Sequence, residues 1–435
     1  MSSTAAVMWF LPGLAAAAAG SSPCAASTAG LVCDGATDDT KALQAALNGC
    51  TASGTPVTLP VGKTCISFPL VLPSHSALVV PAGAVLKAGE SRLWPNKTNA
   101  SGLTNGAHPF ITSGPAAVNL SLSGAGTIDG SGAQWWTGNN KTPNRPLLIE
   151  LDAAGVLLQG LLLLNPAAWA TTLRGSDYRI WDIKIRTPGY RQAPNTDGLD
   201  IAAKGVHIRG ADITNGDDSI CMKSPAQDVL VESSTVRQGN GFVVGTSDDA
   251  DFRNITFRNC TAIGTAFGIH IKFKDQQTGS VRDITFEDVT IVDPQRYAIG
   301  IDQNGQSLEG GVGRPDCHGH QLGRGGAPAV GSNVTVNDVH FRSVRATVGA
   351  GHKGGCFICN PGPLACRGIT FDDVNLQVAG SQVGAACSFS NVFGTGSDVH
   401  PASCVPPNAE PRQIPAKAGA FKLASNPLKE INQPY

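Results

Sequence analysis

The chain has 435 residues, of which 32 are basic and 33 acidic, and only 15% carry a charge. A formal net charge of -1 excludes the broad basic surface of a nucleic-acid binder or of a protein held electrostatically on a membrane. The 52 glycines and 28 prolines are scattered among apolar runs, which points to many short strands joined by turns and away from a disordered low-complexity chain.

The first segment, "MSSTAAVMWFLPGLAAAAAGSSP", is an apolar run ending in small residues, although no Lys or Arg precedes it. Residues 1–20 therefore read as a signal peptide removed near Gly20. No later run approaches ~18 uninterrupted apolar residues, so no spanning helix is expected. Next, "DGATDDTKALQAAL" places Asp38 and Asp39 in what would be the first turn of a helix, with Ala42, Leu43, Ala46 and Leu47 on its apolar stripe. A short helix of this kind suits the exposed first coil of a solenoid.

From Gly155 onward a repeat emerges. "GVLLQGLLLL", "DYRIWDIKI", "GVHIRGADI", "DVLVESSTV", "FRNITFRNC", "VRDITFEDV", "VNDVHFRSV" and "CRGITFDDV" each read as a strand, a short polar break and a second strand. Equivalent anchors are Val156, Tyr178, Val206, Val229, Ile255, Ile284, Val339 and Ile369, separated by 22, 28, 23, 26, 29, 55 and 30 residues. The step of 55 is either two coils or one coil carrying the Gly-rich insertion between Gly310 and Gly331. A period near 25 without helical spacing fits a parallel β-helix, whose coils bury their faces only against one another. An all-β sandwich would give turn signals every 8–12 residues instead. The expected architecture is one all-β domain over residues 21–404, a parallel β-helix, followed by a Pro-rich tail over 405–435.

Twelve cysteines lack a doubled Cys-x-x-Cys zinc arrangement and suit disulfides in an oxidising compartment. Proximity in sequence suggests Cys359 with Cys366 and Cys387 with Cys404. Seven Asn-x-Ser/Thr sequons, at Asn96, Asn99, Asn119, Asn140, Asn254, Asn259 and Asn333, are compatible with secretion.

Five aspartates crowd into "NTDGLDIAAKGVHIRGADITNGDDSI", Asn195 to Ile220. Aligning "NTDG" with "NGDD" sets Asn195 over Asn215 and Asp197 over Asp217, a step of 20 that would bring them side by side on neighbouring strands roughly 4.8 Å apart. Asp218 would join them only if the backbone bends, which Gly216 would ease. Carboxylates so close repel, and one of them stays protonated at mildly acid pH. An acid beside ionised carboxylates is what glycosidic cleavage requires. Stacked aspartates at solenoid turns can equally hydrogen-bond the backbone or hold calcium.

These motifs, in order, resemble family 28 glycoside hydrolases, the polygalacturonases and their relatives. Besides "NTDGLD" and "NGDDSICMKS", the resemblance takes in "DGATDDTKALQAAL", "GAGTIDGSGAQWW", "IHIK", "YAIGIDQ" and the late cysteines. It implies a right-handed β-helix with an open cleft, and hydrolysis with inversion of the anomeric carbon. It also implies Asp218 as general acid, Asp197 and Asp217 as the holders of the water, and Asn195, Asn240, His270 and Lys272 as substrate-binding positions. Inversion would call for acid and base roughly 6.5–9.5 Å apart. No metal or other cofactor is implied, and the partner is a pectic polysaccharide met by a secreted monomer. Three positions depart from the family pattern: Asn240 stands where a histidine is usual, His270 where an arginine is usual, and Gly305 where a tyrosine is usual. A rhamnogalacturonan or xylogalacturonan hydrolase is therefore an alternative to a polygalacturonase. A calcium-dependent lyase and a non-catalytic pectin-binding solenoid are two more.

Overall fold

The computed structural model describes residues 30–98, 104–137, 140–141, 145–245, 249–303, 331–350, 352–380 and 386–407. The proposed signal peptide, Gly305, and the tail beyond residue 407 lie outside the described residues. Among the described residues the chain winds into a parallel β-helix in which three ladders of strands run along the length of the solenoid.

All eight anchors share one ladder. Val156 pairs with Tyr178, Tyr178 with Val206, and Val206 with Val229. The series continues through Ile255, Ile284, Val339 and Ile369 without a break. Because Ile284 is the direct neighbour of Val339, the 55-residue step is one coil with an insertion and not two coils. The anchors fall in register because each is an inward side chain, and a one-residue slip would turn every apolar group outward. The coils also start well before Gly155: Leu78 already pairs with Leu122, and Leu122 with Leu158.

The polar break in each repeat is a corner. Asp182, Ser233, Asn259, Asp288 and Ser343 all have φ between 49° and 57°, and Gly210 has φ 66°. The left-handed region is open to glycine and tolerated by Asn and Asp, so these residue types mark where the backbone turns from one ladder to the next. The second ladder follows each corner, as in Lys184–Arg186 and Asp212–Asn215.

The third ladder carries the site. It includes the first residues of Leu199–Arg209, then Ile220–Met222, Phe242–Gly245, Phe267–Lys272 and Tyr297–Asp302. Inward residues Leu199, Ile220, Phe242, Ile269 and Ile299 are fully buried in the core.

The capping helix spans Thr40–Cys50 and buries Leu43, Ala46, Leu47 and Cys50. Asp38 and Asp39 precede it instead of lying in its first turn. The Asp39 carboxylate turns back to accept the backbone N–H groups of Val32 at 2.7 Å and Cys33 at 3.1 Å, so it ties the N-terminal segment to the helix. Disulfides join Cys359 to Cys366 and Cys387 to Cys404, as sequence proximity suggests, and a third joins Cys33 to Cys65. No described helix is long and apolar enough to cross a membrane.

Candidate active site

Two turns that lead into the third ladder bring the aspartates together. Leu199 pairs with Ile220, and the Gly198 N–H donates to the Asp218 carbonyl at 2.8 Å. The coil step here is therefore 21, which sets Asp197 over Asp218 and not over Asp217. The expected step of 20 followed residue identity, whereas register is set by the buried Leu199 and Ile220. Even so, Asp197, Asp217 and Asp218 converge, one carboxylate oxygen from each lying within 4.8 Å of the others. That is closer than the separation expected between acid and base, because Asp197 and Asp218 occupy equivalent positions on adjacent coils.

The surrounding Asn and Thr residues hold the turns in place. Asn215 Nδ2 donates to the carbonyls of Thr196, Asp217 and Asp218 at 3.0, 2.9 and 2.8 Å, and Ser219 Oγ donates to Asn215 Oδ1 at 2.8 Å. Asn195 sits at φ 54° and its amide donates to Asp217 Oδ2 at 3.1 Å, while Arg145 donates to Asn195 Oδ1 at 3.2 Å. Gly216 contributes through space: a Cβ there would lie 2.4 Å from the Ala193 carbonyl and 2.9 Å from Thr196 Oγ1. Only glycine lets the two turns approach this closely.

A cleft of about 850 Å³ opens over the cluster. Asn195, Asp217 and Asn240 line it, together with Tyr190, Arg191 and Arg296. Asp197 and Asp218 lie one layer beneath, 4% and 2% exposed. Asn240 bridges the layers, its amide donating to Asp217 Oδ1 at 2.9 Å and Asp218 Oδ1 at 3.0 Å. A groove of about 950 Å³ runs along the anchor ladder past Asn119, Asp177 and His207, but it holds none of the cluster and follows from the stacked corners alone.

Lys272 is 3% exposed and donates to Asp218 Oδ1 at 2.8 Å. His270 is fully buried, its ring stacked 3.9 Å from Phe267, and it does not line the cleft. Burial, with the Lys272 charge behind it, holds this imidazole well below its ordinary pKa and therefore neutral.

Lys223 is a residue the sequence reading did not single out. Its Nζ stands 4.0 Å from Asp197 Oδ2, 3.8 Å from Asp200 Oδ1 and 3.6 Å from Asp218 Oδ2, and lies 5.5 Å from the Trp169 ring centre. Strand alternation was the available signal: Gly245 pairs with Lys272, and continuing the Met222–Val244 register by one residue puts Lys223 in the same outward column. Asp200 is fully buried beside the cluster.

Burial splits the titration of these groups. It raises Asp197 well above the ordinary carboxylate range, reinforced by repulsion from Asp200, Asp217 and Asp218. It raises Asp200 to about 7 against the opposing pull of Lys223. Burial acts on Asp218 too, but the Lys272 and Lys223 ammonium groups outweigh it and hold that carboxyl well below its usual value. The three carboxylates could also coordinate a cation, but ammonium groups already reach into the cluster from Lys223 and Lys272.

The glycosyl hydrolases family 28 model matches residues 78–404, and the chain belongs to that family. It is a glycoside hydrolase, with the acidic cluster inside the matched span. The chain is 25% identical over 315 residues to a probable endopolygalacturonase I of Aspergillus niger, covering 69% of this chain and 80% of that one. It is 28% identical over 291 residues to an exopolygalacturonase of Platanus acerifolia, covering 64% and 72%. In fold it is similar to a polygalacturonase from Erwinia carotovora ssp. carotovora, with a TM-score of 0.62 at 21% identity over 83% of this chain and 94% of that one. It is also similar to an endo-xylogalacturonan hydrolase from Aspergillus tubingensis, with a TM-score of 0.57 at 20% identity over 83% and 98%.

Proposed function

We propose that this enzyme hydrolyses α-1,4-galacturonosyl bonds of a pectic polysaccharide, with Asp218 as general acid and Asp197 and Asp217 holding the attacking water. The observation that carries the reading is the convergence of three carboxylates under a cleft whose wall bears Arg191 and Arg296. A polymer with a carboxylate on each sugar would be repelled by four aspartates, Asp200 included. Guanidinium groups on the wall offset that repulsion and can pair with a uronate bidentately. The exposed Tyr190 ring offers an apolar face to the sugar.

Asp218 must carry a proton to act as the acid, yet in the free enzyme Lys272 and Lys223 hold it ionised. A uronate carboxylate that drew Lys272 away would weaken the 2.8 Å pair and raise the Asp218 pKa. The substrate would thereby load its own acid catalyst, and a neutral sugar could not. Inversion follows from the family resemblance, since the carboxylate spacing is shorter than roughly 6.5–9.5 Å. The disulfides among the described residues suit a protein secreted into an oxidising compartment, where pectic polymers are met.

The deciding experiment sets homogalacturonan, rhamnogalacturonan and xylogalacturonan side by side, reading new reducing ends and, by proton NMR, the first-formed anomer. Release from homogalacturonan that disappears in Asp218→Asn supports the reading. Unsaturated products formed only with calcium would replace it with a lyase, and pectin binding without any turnover would leave a carbohydrate-binding solenoid.

A further inference from the structure

Neither Asp200 nor Lys223 lines the cleft, and the cleavage scheme above uses them only as charges, Lys223 beside Asp218 and Asp200 among the aspartates, without assigning either a role in catalysis. Neither Asp200 carboxylate oxygen has a hydrogen bond among the described residues, and Asp200 is fully buried. A buried carboxyl without hydrogen bonds is costly unless a charge or a proton compensates it. The charge at hand is the Lys223 ammonium, 3.8 Å away. That same ammonium lies 4.0 Å from Asp197 and 3.6 Å from Asp218. One cation thus faces the proposed acid, one of the water-holding carboxylates and a third carboxyl with no other assigned role.

We propose that Lys223 and Asp200 form a buried pair of positioning residues that sets the protonation of Asp197 and Asp218, and so the pH range in which the site works. This rests on the hydrolase reading for its catalytic consequence, though not for its electrostatics. The geometry explains why three carboxylates tolerate burial together: Lys223 and Lys272 supply two positive charges to the cluster, one on each side of Asp218. Gly245 lies between the two lysines in their column, and a Cβ there would strike the Lys272 carbonyl at 1.7 Å, so no side chain stands between them on that coil.

Other charged groups face the pair as well. Cys221 lies in the Asp200 ladder row and feels Lys223, while Asp217 acts on both Asp197 and Asp200. Arg145 feels Asp197 and Asp217 from the neighbouring loop. His270 stays neutral beside Lys272, with Arg296 acting on it from the cleft side. Lys223 differs from these in standing within 4.0 Å of three carboxylates at once.

The test is the pH profile of kcat/KM on polygalacturonate for Lys223→Met, Lys223→Arg and Asp200→Asn. Removing the cation raises every carboxyl pKa around it, so Lys223→Met should move both limbs to higher pH by roughly one unit. Asp200→Asn removes a like charge where Asp200 would ionise and should move the alkaline limb the other way, while Lys223→Arg keeps the charge and stays near the parent profile. Opposite shifts from two nearly isosteric changes are not produced by loss of packing. Limbs that stay at the parent's positions in both variants would overturn the proposal, whatever happens to the rate. Where a variant turns over too slowly, the pH dependence of its thermal unfolding midpoint reads the same proton binding: a profile unchanged from the parent overturns the proposal, and a displaced one supports it. A parent enzyme inactive on every pectic polymer would sink the hydrolase reading and leave that unfolding measurement as the test of the pair.

Discussion

The core and the candidate active site of this enzyme use one geometry to opposite ends. In the interior, Phe257, Phe286 and Phe341 succeed one another coil by coil, with ring centres 4.9 and 5.5 Å apart and planes within 10° of parallel. Stacking like on like there adds apolar burial at every step, and each stacked pair contributes roughly 0.5–1.5 kcal/mol beyond its buried area. At the turns before the third ladder, Asp197 and Asp218 succeed one another in the same way, and stacking like on like produces repulsion. The solenoid makes both arrangements available from a single repeat. What differs is that an apolar stack is stable alone, whereas a carboxylate stack has to be offset by lysines or by protons.

The largest effect expected on this contrast comes from Asp218→Asn, which should lower reducing-end release by about 10²- to 10⁴-fold, the usual contribution of general acid catalysis. At pH above the ordinary carboxylate range its melting point should fall, because the buried Lys272 ammonium loses its ionised partner, so the rate is compared per folded molecule. A variant that keeps full activity would remove Asp218 from the mechanism.

Phe286→Ala strikes the other stack and should cost about 3–5 kcal/mol in denaturant unfolding, with the activity per folded molecule unchanged. A loss well under that would mean the aromatic ladder relaxes and is not the main prop of these coils.

A third expectation concerns pH and stability. Burial raises the folded-state pKa of Asp200 to about 7, against an ordinary value of 3.8. Between those values the folded protein holds a proton that the unfolded chain has released, so this group's contribution to stability falls as pH rises from about 4 to about 7. Asp218 works in the opposite sense: its lowered pKa contributes stability above the ordinary carboxylate range and loses it as pH falls. Thermal melts from pH 4 to 8 should therefore show a decline that flattens in Asp200→Asn, and an identical decline in that variant would detach the effect from Asp200.

The smallest effect should come from the cleft wall. Arg296→Ala should raise KM on polygalacturonate roughly two- to fivefold, as befits one exposed ion pair, with kcat nearly unchanged and the difference shrinking in high salt. An equal change on a fully methyl-esterified polymer would mean that Arg296 does not meet a carboxylate.

Much of this contrast could be read before folding is considered. The eight anchors stand out because an inward apolar residue recurs once per coil, and the corner residues stand out because Asn, Asp, Ser and Gly tolerate left-handed backbone. The cysteine pairs Cys359–Cys366 and Cys387–Cys404 are close enough in the chain for proximity to find them. The step from Asp197 is one residue longer than the motif match gives, because matching Asn-x-Asp to Asn-x-Asp compares side chains, while register answers to the core. His270 shows the same limit. Its place in "IHIK" matches a binding motif, but burial against Phe267 is a property of the folded sheet.

Residue order alone thus yields the solenoid, its period and the identity of the acidic turns, since periodic burial and turn chemistry are local to each repeat. Which carboxylate keeps a proton depends on distances between coils. Lys223, Asp200 and Lys272 act on Asp218 from 5, 18 and 54 positions away in the chain, and only the wound sheet brings their charges into one low-dielectric space.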